Sequence, residues 1–259
     1  MDKPKNVAGE PRPGVAITKD MNGIGLVKLR SPQGATALFG NRGTLEQHGF
    51  ARNKIWVVNN NPPVPLRPND KSYIDLLLKP SQEDLKIWPH SFEFHLRVAL
   101  GDANLNLISR IRNTDGKPFS FSIAYHTYLA VSDIDEVRVE GLETLHYLDN
   151  LQERERFTEQ CDALTFESEV DRVYLSTEEP IAVFDHQVRQ TITMRKEGLP
   201  DAVVWNPWDK KSKLLADFGD EEYKHMLCVD GAAIEKPITL KPGEEWTGRL
   251  ELSFKPSTA

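Results

Sequence analysis

Phe92-Glu-Phe-His-Leu-Arg-Val-Ala-Leu100 decides the fold class, because its apolar residues Phe92, Phe94, Leu96, Val98 and Leu100 fall on every second position. A two-residue period is that of a β-strand with one buried face. Gly101-Asp102 then predicts a hairpin turn into a second strand over Asn104–Arg112, and Asp115-Gly116-Lys117-Pro118 a turn into a third over Phe119–Tyr128. The three together predict an antiparallel meander. Further strands are expected over Val137–Glu140, Asp171–Leu175, Ile181–Phe184, Gln190–Met194, Val203–Trp205, Met226–Val229 and Trp246–Phe254. No segment carries a long helical period; Asp220–His225 allows one helical turn. Short strands separated by turn residues predict a mainly β chain, a sandwich or barrel. The stretch from Asn59 to Lys71, rich in Pro and Asn, is expected to run as a surface loop, and Met1 to Gly14 as a mobile tail. With no repeat and no linker-like shift in composition, residues 15–259 read as one domain.

The bulk properties narrow the function. A net charge of −7 at pH 7 over 259 residues opposes general nucleic-acid binding, which needs a clustered basic surface. No hydrophobic run is long enough to span a membrane, and the first residues lack the apolar core of a secretory signal. Cys161 and Cys228 are the two cysteines, without metal-like spacing; they fit packed thiols in a reducing compartment. The expectation is a cytoplasmic globular monomer.

In Phe119–Tyr128, Phe119, Phe121, Ile123 and Tyr125 share one face, and Ser120, Ser122, Ala124, His126 and Tyr128 the other. The second face stays small and polar until it reaches a His and a Tyr, as the floor of a concave polar site requires. A half-exposed strand that merely carries a histidine would look the same. The segment from Gly40 to Lys54 holds Arg42, Arg52 and Lys54 against Glu46, a basic island in an acidic chain that suits an anionic group, with Gln47 and His48 at hand for hydroxyls. An incidental surface turn is the alternative. Val170–Tyr174 sets Asp171 beside Arg172, readable as an ion pair at a strand edge. Val203–Trp208 (VVWNPW) frames Asn206-Pro207 with two indoles, either a wall for a sugar ring or a packed corner. Asp230 ends an apolar strand before Gly231, as a turn residue or a placed carboxylate; Glu235, an odd number of residues on, faces away in a regular strand.

QHGFAR (Gln47 to Arg52), AYHTYLAVSDIDEVRVEGL (Ala124 to Leu142), VVWNPWDKKSK (Val203 to Lys213) and IEKPITLKPGEEWTGR (Ile234 to Arg249) occur in this order. Together they make the chain resemble the plant branch of the glucose-6-phosphate 1-epimerase (hexose-phosphate mutarotase) family from about Leu38 to Phe254. The resemblance implies a galactose-mutarotase-like antiparallel β-sandwich. It implies catalysis by His126 and Asp230 without a metal or organic cofactor, substrate binding by Gln47, Arg52 and Asp171, and a hexose 6-phosphate as substrate. A non-catalytic sugar-phosphate-binding relative on the same fold is the other function it allows. Two departures carry expectations. Asp230 stands where family members often have Glu, which retracts the base, and Gly231 is placed to let the backbone advance in compensation. Ser31–Ala37 runs straight into Leu38–Gly43 without the family's Arg-Gly-Gly-Ile-Pro motif, so strands of one sheet are expected to be missing.

Overall fold

The computed structural model describes residues 14–19, 25–30 and 36–39 as backbone, and residues 51, 54–60, 72–215 and 218–256. The first three strands, β1 (Gly14–Lys19), β2 (Gly25–Arg30) and β3 (Thr36–Phe39), form a small antiparallel sheet. Then follow β4 (Val57–Val58), β5 (Ser72–Leu78), α1 (Gln82–Ile87), β6 (Phe92–Leu100), β7 (Asn104–Asn113), β8 (Phe119–Ala124) and β9 (Tyr128–Ala130). The rest of the chain gives β10 (Val137–Glu140), β11 (His146–Asp149), β12 (Glu155–Thr158), β13 (Val170–Tyr174), β14 (Ile181–Asp185), β15 (Gln190–Glu197), β16 (Asp201–Asn206), α2 (Trp208–Ser212), β17 (Met226–Leu240) and β18 (Glu245–Pro256). Among the described residues, no helix is long and apolar enough to cross a membrane.

Two large antiparallel sheets dominate. One has the order β10-β14-β15-β18-β7-β6-β5-β4; the other runs β12-β11-β13-β16-β17-β8, with β9 also paired to β17. Val98, Ile181, Ile192 and Leu250 of the first meet Tyr174, Val204, Leu227 and Val229 of the second in one buried core. That is the layered solution for sheets with one apolar face each. A smaller cluster of Leu78, Phe92, Ile111, Phe119 and Leu240 closes one end, where Trp88 meets Phe119 edge-on at 5.0 Å between ring centroids.

The expected hairpin from β6 to β7 forms, with Phe92 opposite Asn113 through Leu100 opposite Leu105. The expected meander stops there. β8 leaves that sheet and pairs with β17 in the other, so its apolar residues face β7 across the core and do not lie beside it. β6 also departs from a single buried face at its far end, where Arg97 and Ala99 are buried with Val98 and Leu100. Arg97 is tolerated because its guanidinium meets Asp75 through two hydrogen bonds, 2.8 and 3.0 Å. Alternation also fails to announce α1, whose six residues start from a capping box between Ser81 and Asp84.

Candidate active site

β17 is the strand around which the site is built. It pairs with β16 on one side, and on the other with β9 and β8 placed end to end. The expected single strand Phe119–Tyr128 is thus two strands with three intervening residues, Tyr125, His126 and Thr127. Ala124 lies opposite Ala232 and Tyr128 opposite Cys228, so both strands run three residues between those pairs. His126 is therefore the cross-strand neighbour of Asp230.

The predicted faces hold. Ser120, Ser122, Ala124, His126 and Tyr128 are exposed, while Phe119 is buried and Phe121, Ile123 and Tyr125 are half-buried. Each neighbour of His126 is pinned. Tyr125 points through the core, and its hydroxyl donates to Ser109 Oγ on β7 at 2.8 Å. Burial pushes that phenol up to about 12, so it serves as an anchor and not as an acid near neutral pH. Thr127 is held to β17: its N–H donates to Asp230 Oδ1 at 2.5 Å and its hydroxyl lies 2.5 Å from Val229 O.

Asp230 is 1% exposed, and its other oxygen, Oδ2, lies 3.7 Å from His126 Nδ1. That is too long for a hydrogen bond but short enough for the two groups to act on neighbouring atoms of one ligand. Burial raises the Asp230 carboxyl to about 7, against the pull of the Thr127 hydroxyl and N–H. A carboxyl titrating there gives up and takes back protons at neutral pH, as a general base must. Behind it, a Cβ on Gly231 would sit 3.1 Å from Leu250 Cδ1 and 3.2 Å from Leu199 Cδ1. The missing side chain faces the core, so the glycine lets β17 pack closely against the opposite sheet.

Asp171 reaches the same face through sheet register, since it pairs with Trp205, which pairs with Cys228, which pairs with Tyr128. Asn150 Nδ2 donates to Asp171 Oδ1 at 2.7 Å. Arg172 is not its ion-pair partner and β13 is not an edge. The strand is flanked by β11 and β16, and Arg172 takes the opposite face. There it meets Glu159 at 3.1 Å and lies over the Tyr147 ring at 4.5 Å. The two readings of VVWNPW divide between its halves. Trp205 stands on the site face, edge-on to Tyr128 with centroids 6.3 Å apart. Asn206 is buried and donates to Tyr223 O and Met226 O, and Trp208 packs on Tyr223, making a corner. Glu235 turns away to pair with Arg156, where Asp201 Oδ2 accepts the N–H groups of Ile234 and Glu235 across a bulge in β17.

Gln47, His48 and Arg52 lie outside the described residues, as do the Met1–Gly14 tail up to residue 13 and most of the Asn59–Lys71 loop. Thr127 and Asn150 are the contributors that sequence reasoning missed. Thr127 belongs by alternation to the core face, and Asn150 lies in a one-turn 3-10 helix, Asn150–Gln152. Among the described residues no three His, Cys, Asp or Glu side chains converge as metal ligands would.

The sequence and the β-sandwich both have counterparts among known proteins. Residues 33–253 match the family described as Aldose 1-epimerase. The chain belongs to the aldose 1-epimerase family. It is 66% identical over 224 residues to a Cenchrus ciliaris protein named "Putative glucose-6-phosphate 1-epimerase", an alignment covering 85% of this chain and 68% of that one. A protein of the same name from Escherichia coli is 30% identical over 190 residues, or 73% of this chain and 60% of that one. Among solved structures, a Salmonella typhimurium protein described as a "putative mutarotase" superposes with a TM-score of 0.78 at 20% identity, covering 93% of this chain and 97% of that one. A galactose 1-epimerase from Lactobacillus acidophilus superposes at 0.69 with 10% identity, covering 95% and 100%. The galactose-mutarotase-like sandwich is thus shared at the level of fold, while the sequence matches leave about a third or more of the curated relatives' length unmatched.

Proposed function

We propose that this aldose 1-epimerase family member interconverts the α and β anomers of a hexose 6-phosphate, glucose 6-phosphate in the first instance. The observation that carries this reading is the cross-strand pair of His126 and Asp230, with the buried carboxyl raised to about 7. The two oxygens of a cyclic hemiacetal that must exchange protons sit on one carbon, so an acid and a base a few ångströms apart address both. Asp230 Oδ2 takes the proton of the anomeric hydroxyl while His126 gives one to the ring oxygen. The C1–ring-oxygen bond breaks to the open aldehyde, the C1–C2 bond rotates, and the reverse transfers close the other anomer. Asp171, held by Asn150, receives sugar hydroxyls, and Trp205 with Tyr128 offers aromatic surface to the C–H face of the ring. The preference for a 6-phosphate rests on Arg52 and on the names of the relatives. The same reading places the protein in the cytoplasm as a monomer, with Cys161 and Cys228 as free thiols.

Anomer exchange of glucose 6-phosphate, followed by NMR magnetisation transfer, tests the proposal. The expected outcome is exchange above the uncatalysed rate that His126→Ala lowers by about 10²–10⁴-fold. Binding of the sugar phosphate without exchange by the wild-type protein would instead support the non-catalytic relative.

A further inference from the structure

The ladder along β17 loosens over Tyr125, His126 and Thr127, between β8 and β9. Tyr125 N–H donates to Gly231 O at 3.1 Å, so in a regular antiparallel pair Thr127 N–H would go to Val229 O. It goes to the Asp230 carboxyl, and the Thr127 hydroxyl takes its place at Val229 O. That hydroxyl also lies 2.7 Å from Asp230 Oδ1. A hydroxyl has one proton to donate, and both oxygens within its reach are acceptors. It serves one of them at a time.

We infer that the Thr127 hydroxyl is a rotor whose proton follows the charge of Asp230, which makes Thr127 the positioning residue of the base. With Asp230 ionised, the hydroxyl donates to Oδ1 beside the backbone N–H, and the charge is held by two donors. When Oδ2 takes the substrate proton, Oδ1 becomes the weaker acceptor and the hydroxyl turns to Val229 O. The backbone N–H stays on Oδ1 in both states, so Oδ2 remains the oxygen presented to His126. The buried carboxyl thus changes charge without moving its chain, because the polar rearrangement is one torsion of a neighbouring hydroxyl. The titratable groups facing Asp230 are His126 across the strands and Cys228 two residues along β17. On the core side of the next residue, Gly231, stand Leu250, Leu199 and the methylenes of Lys196, whose ammonium donates to the carbonyls of Thr177, Leu199 and Pro200; the side-chain donor on Asp230 itself is the Thr127 hydroxyl.

The inference rests on Asp230 acting as the base, and its test separates the two. Thr127→Val keeps the branched shape and removes the hydroxyl; Thr127→Ser keeps the hydroxyl; Thr127→Ala is a second hydroxyl-free variant should Val pack poorly. Carbon-13 NMR of the Asp230 carboxyl, in the protein without substrate, reads its titration directly. The hydroxyl-free variants are expected to titrate at higher pH than wild type, and Thr127→Ser as wild type. Anomer exchange at neutral pH should fall roughly 10- to 100-fold in kcat with KM little changed, the scale of one hydrogen bond to a charge, and Ser should restore it. A carboxyl that titrates unchanged in both hydroxyl-free variants, or a Ser variant that behaves like Val, overturns the rotor. A shifted titration in a protein that never exchanges anomers leaves the rotor standing and overturns the proposed function.

Discussion

Two aspartates of this protein expose little surface, Asp185 5% and Asp230 1%, but Asp230 lies deeper, and their carboxyls move in opposite directions. Asp185 ends β14 and is saturated on both oxygens. Ser132 N–H donates to Oδ2 at 2.7 Å, while the Ser132 hydroxyl and Val188 N–H donate to Oδ1 at 2.5 and 3.2 Å. Burial by itself would raise this carboxyl, but those donors bring it below its ordinary value. Asp230 gathers its donors from Thr127 onto Oδ1 and leaves Oδ2 toward His126, so burial wins and the group rises to about 7. Greater depth together with fewer donors, and the oxygen those donors leave over, separates a carboxylate that can handle a proton from one that ties a turn.

The largest expected effect breaks the comparison at the level of chemistry. Asp230→Asn should lower kcat for anomer exchange by about 10²–10⁴-fold, while Asp185→Asn leaves kcat within a few-fold of wild type. Steady-state exchange rates on both folded variants check this. Equal losses in the two variants would mean that the leftover oxygen does not mark the base.

Stability against pH gives the next effect, with opposite signs. The folded-state value of Asp230 lies above its unfolded value of about 3.8, so between the two the folded state holds a proton that the unfolded state has lost. Asp230 therefore costs stability as pH rises from about 4 through 7, up to a few kcal/mol at about 1.4 kcal/mol per pKa unit. Asp230→Asn should melt higher than wild type at pH 8, with the gain fading toward pH 4. Asp185, with its folded value depressed, contributes stability above its unfolded value that is lost as pH falls through the folded one. Asp185→Asn should melt lower at pH 7, by about 1–3 kcal/mol in unfolding free energy, with the deficit shrinking in acid. Denaturant melts across that range measure both.

The contrast also shows what the sequence could convey. The strands of the sandwich were legible because period-two alternation is local: Phe92–Leu100 and Val137–Glu140 match their predicted bounds. Sheet membership was not legible. Nothing in Asp115–Pro118 says that the next strand crosses to the other layer, a choice made by β8 finding β17 more than a hundred residues later. β5, β11 and β12 went unpredicted, two of them short and all without clean alternation. For the site, the polar face carrying His126 followed from alternation, but its pairing with Asp230 needed the family resemblance and the β8–β17–β9 register. Thr127 was hidden because its residue type and parity assign it to the core; its importance appears only once the ladder is seen to break. Asp171 and Arg172 misled for the same reason as the meander, since adjacency in sequence was read as adjacency in space.

The smallest expected effect sharpens the comparison at the margin of the site. Asp171 resembles Asp230 in having one oxygen engaged, by Asn150 Nδ2, but it stands at the surface, where water is available to its carboxylate. Asn150 also accepts a long contact from Arg154 at 3.4 Å, so it links Asp171 to a turn in which Glu153 and Arg154 both have positive φ. If Asn150 only orients Asp171, Asn150→Ala should raise KM for the sugar phosphate several-fold while kcat holds, and change stability by under about 1 kcal/mol, as for other exposed polar pairs. Asp171→Asn should raise KM further than Asn150→Ala, because it alters the group that meets the sugar. A kcat loss in Asn150→Ala comparable to that of Asp230→Asn would place the second carboxylate in the proton transfers, and the division between a base and a binding carboxylate would then have to be redrawn.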